Sequence, residues 1–302
     1  MRFLGWFRRK ETKREGQSSV WSVRQQPDAS DYILEEGYEV GRLDLQHVML
    51  QLAAGKNYRA PLREPRTILD VACGTGTWGR QMAAEFKRAQ VVGFDVNVEQ
   101  VRTVEERLAR IDRLPSNFQF LQANALQPFP FETATFDFTH GRLLAPFLPR
   151  ERWPEVIAEM LRVTKPGGYI ELVDFESHGA LSTSQALMRL WELSAKAFEQ
   201  RGLYPGAGAA LAGLLRQGGL QRVQERQFLI GEGRQATRQQ RLQKANTLAG
   251  LSDLGKFLTQ VVKLLPQEEF DYLLDRAKAE LADPQARIVT PFNFAFGMKP
   301  LS

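Results

Sequence analysis

Short apolar runs alternate with amphipathic stretches through the middle of the chain. Residues 67–71 (TILDV) are apolar except for Asp70, and a glycine-rich loop and an amphipathic stretch reaching Ala89 follow them. Residues 90–95 (QVVGFD) read as a second buried strand, 97–112 as a charged helix, 118–122 as a third strand and 134–139 as a fourth. A helix over 150–163 is closed by Lys165-Pro166-Gly167-Gly168, and a fifth strand covers 169–175. Strands alternating with helices at this spacing predict an α/β fold with a parallel, doubly wound sheet. Helical patterns precede this core (28–56) and follow it (181–202, 206–218 and most of 236–282), with further strands at 224–230 and 288–298. The pattern divides the chain into a tail (1–20), a helical cap (21–60), a nucleotide-binding core (61–180) and a helical lid or acceptor region (181–302) that carries the last two strands.

In such sheets ligands bind at the carboxyl ends of the strands. Asp70, Asp95, Asn124, His140 and Asp174 all fall at those ends. Gly74, Gly76 and Gly79 spell GxGxxG after the first strand, where missing Cβ atoms let the backbone turn tightly and lie against a ligand. A dinucleotide would place its pyrophosphate on the following helix N-terminus. Asp70, four residues before the first glycine, would repel that group and attract an ammonium instead. Asp95 can accept both ribose hydroxyls of an adenosine ligand or cap the next helix. Asn124 can accept from an adenine amino group or form a turn. Adenosine, a cation and an amino acid in one molecule describe S-adenosyl-L-methionine.

Composition narrows the classes without adding a site. The 302 residues are 43% hydrophobic and 25% charged, as in ordinary globular proteins. The net charge of +5 is spread as single arginines, which reads as a solvated surface. The basic, aromatic residues 1–20 could anchor to lipid or nucleic acid; a frayed tail is the simpler expectation. No apolar run reaches the roughly 18–20 residues of a membrane span, and residues 1–15 lack a signal-peptide core, so a cytoplasmic location is expected. Cys73 is the only cysteine, which excludes an intrachain disulfide and a multi-cysteine zinc site.

Several stretches resemble a known family. ILDVACGTGTWGRQMA resembles the first motif of class I S-adenosylmethionine-dependent methyltransferases, and VVGFDVN the second. FDFTHGRLLAPF and LRVTKPGGYIELVDFE resemble later motifs. GYEVGRLDLQHVMLQLAAGKNYRAP is similar to the helix that caps the cofactor in LaeA-like and UbiE-like small-molecule methyltransferases of secondary metabolism. The resemblance implies a Rossmann-like seven-stranded sheet with helical lid insertions, its last strand antiparallel. It also implies S-adenosyl-L-methionine as cofactor. Asp70, Gly74, Gly76 and Asp95 carry over directly as cofactor contacts, with their loop neighbours Cys73, Val96 and Ala125. Asn124 stands where the family more often has an acid. Arg42 and Gln46 carry over from the cap helix, and His140 and Arg142 from the segment after strand four.

Methyl transfer is an in-line displacement that mainly needs alignment and exclusion of water. A base is needed only for a protonated acceptor. The candidates are His140 and His178, then His47, Tyr38 and Glu176. Cys73 lies in the glycine loop and is unsuited to be a nucleophile toward a nucleobase. The motif for exocyclic amines of nucleic acids is replaced by Thr139-His140-Gly141-Arg142, and Phe175 after Asp174 argues against a metal site. The expectation is a methyltransferase acting on a small organic acceptor, at oxygen or carbon before nitrogen. Nucleic acid and a membrane span are not expected as partners, and a homodimer is left open. The alternatives are a cofactor-binding regulator with little catalysis and a methyltransferase of RNA or protein; Asp70 disfavours a NAD-dependent oxidoreductase.

Overall fold

A computed structural model of the chain describes residues 36–97, 99, 102, 105–106, 115–232 and 236–301. By compactness the chain divides between Asp31 and Tyr32. The expected tail, the first residues of the cap and most of the charged helix at 97–112 lie outside the described residues. Among the described residues, no helix is long and apolar enough to cross a membrane.

The core strands are β1 (Thr67–Val71), β2 (Gln90–Asp95), β3 (Phe118–Gln122), β4 (Phe136–Arg142) and β5 (Thr164–Phe175). Leu181–Ser182 forms β6, Gln221–Ile230 forms β7 and Ile288–Met298 forms β8. The sheet runs β3-β2-β1-β4-β5-β8-β6, with β7 also paired to β8. The first five strands are parallel, and β8 is antiparallel to β5, β6 and β7. The Rossmann-like sheet therefore holds eight strands rather than seven. The addition is the two-residue β6, which pairs with Ile288 and Val289. It also shortens the helix expected from residue 181, which begins at Gln185 under a Ser184 cap that accepts from the Leu187 N–H at 3.1 Å.

Helices α1 (Glu36–Ala54) and α2 (Thr77–Glu85) lie over one face of the sheet, and α3 (Trp153–Val163) over the other. The side-chain period of β4 separates them. His140 meets Trp78 of α2, and the next residue, Gly141, abuts Met160 of α3. On the α2 face Ile68, Trp78, Met82, Val91 and Phe138 form a buried cluster joined by Tyr58 and Tyr169.

The second half differs from expectation in one helix. α4 (Gln185–Gln200), α5 (Ala207–Gln217), α6 (Ala236–Lys256) and α7 (Gln267–Ala282) are present, but α5 packs on β5 and β8 rather than joining a lid. Its small residues allow this: a Cβ on Gly208 would stand 2.5 Å from the Phe175 carbonyl oxygen. α4, the end of α6 and α7 share a separate apolar cluster that includes Leu190, Leu258, Phe270 and Leu281. The start of α6 is tied to the sheet by Gln240, which donates to the carbonyls of Gly231 and Ile288 (2.8 Å each) and accepts from the Ile288 N–H at 2.9 Å.

Phe138 is fully buried between Trp78 and Tyr58. Phe138→Ala is expected to cost about 3–5 kcal/mol, read as a lower urea midpoint; an unchanged midpoint would place this core elsewhere.

Candidate functional site

The loop after β1 holds three left-handed residues in alternation, Ala72 (φ 51°), Gly74 (φ 54°) and Gly76 (φ 72°). Such alternation turns successive backbone N–H groups toward one side. Gly76 precedes α2, whose N-terminus has no side-chain cap. Gly79 serves close packing: a Cβ there would stand 2.5 Å from Phe118. Helix α1 lies over the loop. Leu43 Cδ1 comes within 3.6 Å of where a Gly74 Cβ would stand. Asp44 Oδ1 accepts from the hydroxyls of Thr75 (3.2 Å) and Thr77 (2.7 Å).

At the end of β1, Asp70 faces His140, its register partner on β4. His140 Nδ1 lies 3.0 Å from Asp70 Oδ1, and both side chains are buried. Burial pushes the His140 pKa down, against the Asp70 hydrogen bond that raises it. The contact is therefore a neutral imidazole N–H donating to a carboxylate rather than an ion pair. The His140 ring stacks on Trp78 at 3.8 Å and 6°, and Trp78 Nε1 donates to the Asn57 carbonyl at 2.8 Å. Asp70 Oδ2 and His140 Nε2 are buried without a partner among the described residues.

Arg142 Nη1 donates to His47 Nδ1 at 3.1 Å. Burial, and next the Arg142 charge, push the His47 pKa down to about 3, so this imidazole is neutral too. Gln51, Asn57, Trp78, His140, Arg142 and Val173 help line a narrow cleft beneath α1.

At the end of β2, Asp95 is half-buried. Its Oδ2 accepts from the Gly74 N–H (2.9 Å) and its Oδ1 from the Asn97 N–H (3.0 Å). Burial raises its pKa while these bonds lower it. A carboxylate offers about four lone-pair sites, so it retains capacity to accept. Val96 beside it is 44% exposed, an open apolar surface at the strand end. Burial first, then Asp70 and Asp95, hold the Cys73 thiol well up, and its sulfur packs on the β2 backbone at Gly93. Asn124 adopts the turn arrangement: its Oδ1 accepts from the Leu126 N–H at 2.9 Å, fixing the loop that carries Ala125.

The structure thus gathers Asp70, His140, Arg142, Cys73, Gly74, Gly76, Asp95 and Val96 along one sheet edge. Arg42 and Gln46 are half-buried on α1, with the Arg42 stem beside Gly250 of α6. Glu176 Oε2 accepts from the Ala209 N–H at 3.1 Å at the start of α5. His178 lies in the turn Ser177–Gly179; its side chain and that of Tyr38 lie outside the described residues. Asp174 turns to the opposite face, where it accepts from the Ala145 and Phe175 N–H groups (2.9 Å each).

Three residues escaped the sequence reading. Asp44 sits between Arg42 and Gln46 but points to the glycine loop. Trp78 is hidden inside the GxGxxG pattern. Glu171, fully buried beside His140 in the sheet, accepts from the Arg59 and Ala60 N–H groups at 2.7 Å each. An acid in the middle of the apolar run YIELVDF, three residues before Asp174, was the available signal.

Residues 68–168 match a family described as a methyltransferase domain. The chain is 30% identical over 178 residues to the methyltransferase str3 of Strobilurus tenacellus, an alignment covering 58% of this chain and 60% of the relative. It is 26% identical over 293 residues to the N-methyltransferase gliN of Aspergillus fumigatus, covering 91% and 99%. The chain spans about 60% of the length of the first relatives it matches. Among solved structures, its fold is similar to phosphoethanolamine N-methyltransferase 2 of Haemonchus contortus in complex with S-adenosyl-L-methionine. The TM-score there is 0.50 at 19% identity, over 86% of this chain and 52% of that one.

Burial raises the Glu171 pKa from 4.5 to about 7. Between those values the folded chain holds a proton that the unfolded chain has lost, so stability falls as pH rises through the window. Glu171→Gln is expected to flatten that slope in urea melts, leaving the part carried by Asp174, which burial also raises to about 7. An unchanged slope would refute the assignment.

Proposed function

We propose that this chain, whose residues 68–168 match a methyltransferase-domain family, transfers a methyl group from S-adenosyl-L-methionine to a small organic acceptor of secondary metabolism. The carrying observation is Asp70 Oδ2, a buried carboxylate oxygen with no partner among the described residues, beside a loop of left-handed residues. A buried acceptor left unpaired is costly. A ligand ammonium would satisfy it, so the residues present fit the cofactor.

When bound, the cofactor supplies a methyl group on a cationic sulfur. Asp70 holds the ammonium of its amino-acid end. Arg142, a half-buried cation hydrogen-bonded to a neutral histidine, takes the carboxylate. Asp95 accepts the ribose hydroxyls with its remaining lone pairs, and Val96 and Ala125 flank the adenine. Gly74 and Gly76, with Cys73 between β1 and the loop, let the backbone approach the ligand. Arg42 and Gln46 of α1 complete the cover and keep water out.

The acceptor follows from the histidines. His47 spends its Nδ1 lone pair on Arg142, whereas His140 donates from Nδ1 to Asp70 and keeps a bare Nε2 lone pair, unpartnered among the described residues. A protonated oxygen or carbon acceptor is therefore admitted alongside an amine nitrogen.

Calorimetric titration is expected to show binding of S-adenosyl-L-methionine and none of NAD. Asp95→Ala should weaken that binding more than roughly tenfold, about 1.4 kcal/mol; unchanged affinity would sink its assignment to the ribose. Binding without turnover across amines, phenols and carbon acids would favour a regulatory role.

A further inference from the structure

We propose that His140 is a positioning residue: its Nδ1–H pins Asp70 Oδ1 so that Oδ2 stays turned to the ligand's ammonium and away from Arg142. The inference rests on the cofactor reading above and goes beyond it. Arg142 is close enough to Asp70 for their charges to interact, yet no hydrogen bond joins them. A buried carboxylate and a half-buried guanidinium free to rotate would close into a bidentate pair. The ligand would then have to break that pair before binding.

Two histidines hold the groups apart, and they do so as opposite tautomers. A carboxylate only accepts, so His140 carries its proton on Nδ1, the atom 3.0 Å from Asp70 Oδ1. Arginine only donates, so His47 Nδ1 at 3.1 Å is the acceptor, and any proton on this ring sits on Nε2. Neither ring is free to change its role. His140 is 1% exposed and stacked on Trp78, whose indole is fixed by the Asn57 carbonyl. Strand register adds the last constraint, since Asp70 and His140 are direct partners on β1 and β4.

The test compares two ligands across three variants. S-adenosyl-L-methionine carries the amino-acid end, and 5′-methylthioadenosine keeps the adenosine but lacks that end. His140→Phe is expected to weaken the first by roughly tenfold and leave the second unchanged within about twofold. His140→Asn, which can place an N–H where Nδ1 stood, should recover most of the loss; His140→Gln, whose amide reaches the Nε2 position, should not. If His140→Phe does not fold, the Asn and Gln pair carries the same comparison. Equal weakening of both ligands, or equal behaviour of Asn and Gln, overturns the positioning role. Turnover lost in His140→Asn with binding intact would make His140 a base and overturn it as well. Failure of the unaltered protein to bind S-adenosyl-L-methionine overturns the cofactor reading and this inference with it. Normal binding by the unaltered protein and His140→Phe alike overturns the inference alone.

Discussion

A carboxylate buried at the end of a parallel strand has to find hydrogen-bond donors, and the site is built around how Asp70 finds only part of what it needs. Asp70, His140 and Glu171 are register neighbours on β1, β4 and β5 and share one face of the sheet. Toward the amino ends of the same strands, Ile68, Phe138 and Tyr169 form an apolar row. The polar level thus borders the core on one side and the ligand edge on the other. Glu171 is satisfied on one oxygen by two backbone N–H groups from the segment after α1. Asp70 is satisfied on one oxygen by His140 and, like Glu171 at its Oε1, keeps the other unpaired among the described residues.

Much of this was legible in the sequence because it is local. The five parallel strands announce themselves as apolar runs bounded by glycine, proline and charge, and the loop glycines stand where positive φ is needed. The edge residues Asp70, Asp95 and His140 were legible for the same reason, since strand ends can be counted. What escaped is what only tertiary packing decides. Helix α5 looks like any small-residue helix until Gly208 meets the Phe175 carbonyl. Asn124 resolved as a turn, which its sequence allowed from the start. The partnership of His140 with Asp70 spans seventy residues, and only the order of β1 and β4 brings them together. Asp44 was passed over because helical periodicity drew attention to its neighbours, not to the loop it reaches.

The two faces of the sheet divide the labour. On the α3 face, Asp174 spends both carboxylate oxygens on backbone N–H groups and fixes the chain leaving β4. On the α1 and α2 face, Asp70 Oδ2, Glu171 Oε1 and His140 Nε2 retain unfilled acceptor positions among the described residues. Unfilled acceptors beside the loop of left-handed residues set this face apart from the other, where both oxygens of Asp174 are filled.

Helix α1 is tethered to the glycine loop by the two threonine hydroxyl bonds of Asp44. Each such bond is worth about 0.5–1.5 kcal/mol net, so together they hold the roof down by about 1–3 kcal/mol. Met49, Leu50 and Ala54 of the same helix are buried in the core, and His47 is hydrogen-bonded to Arg142, so the roof is a fixed wall of the site. The Asp44 bonds act as a dowel: they set which residues of α1 overhang the loop.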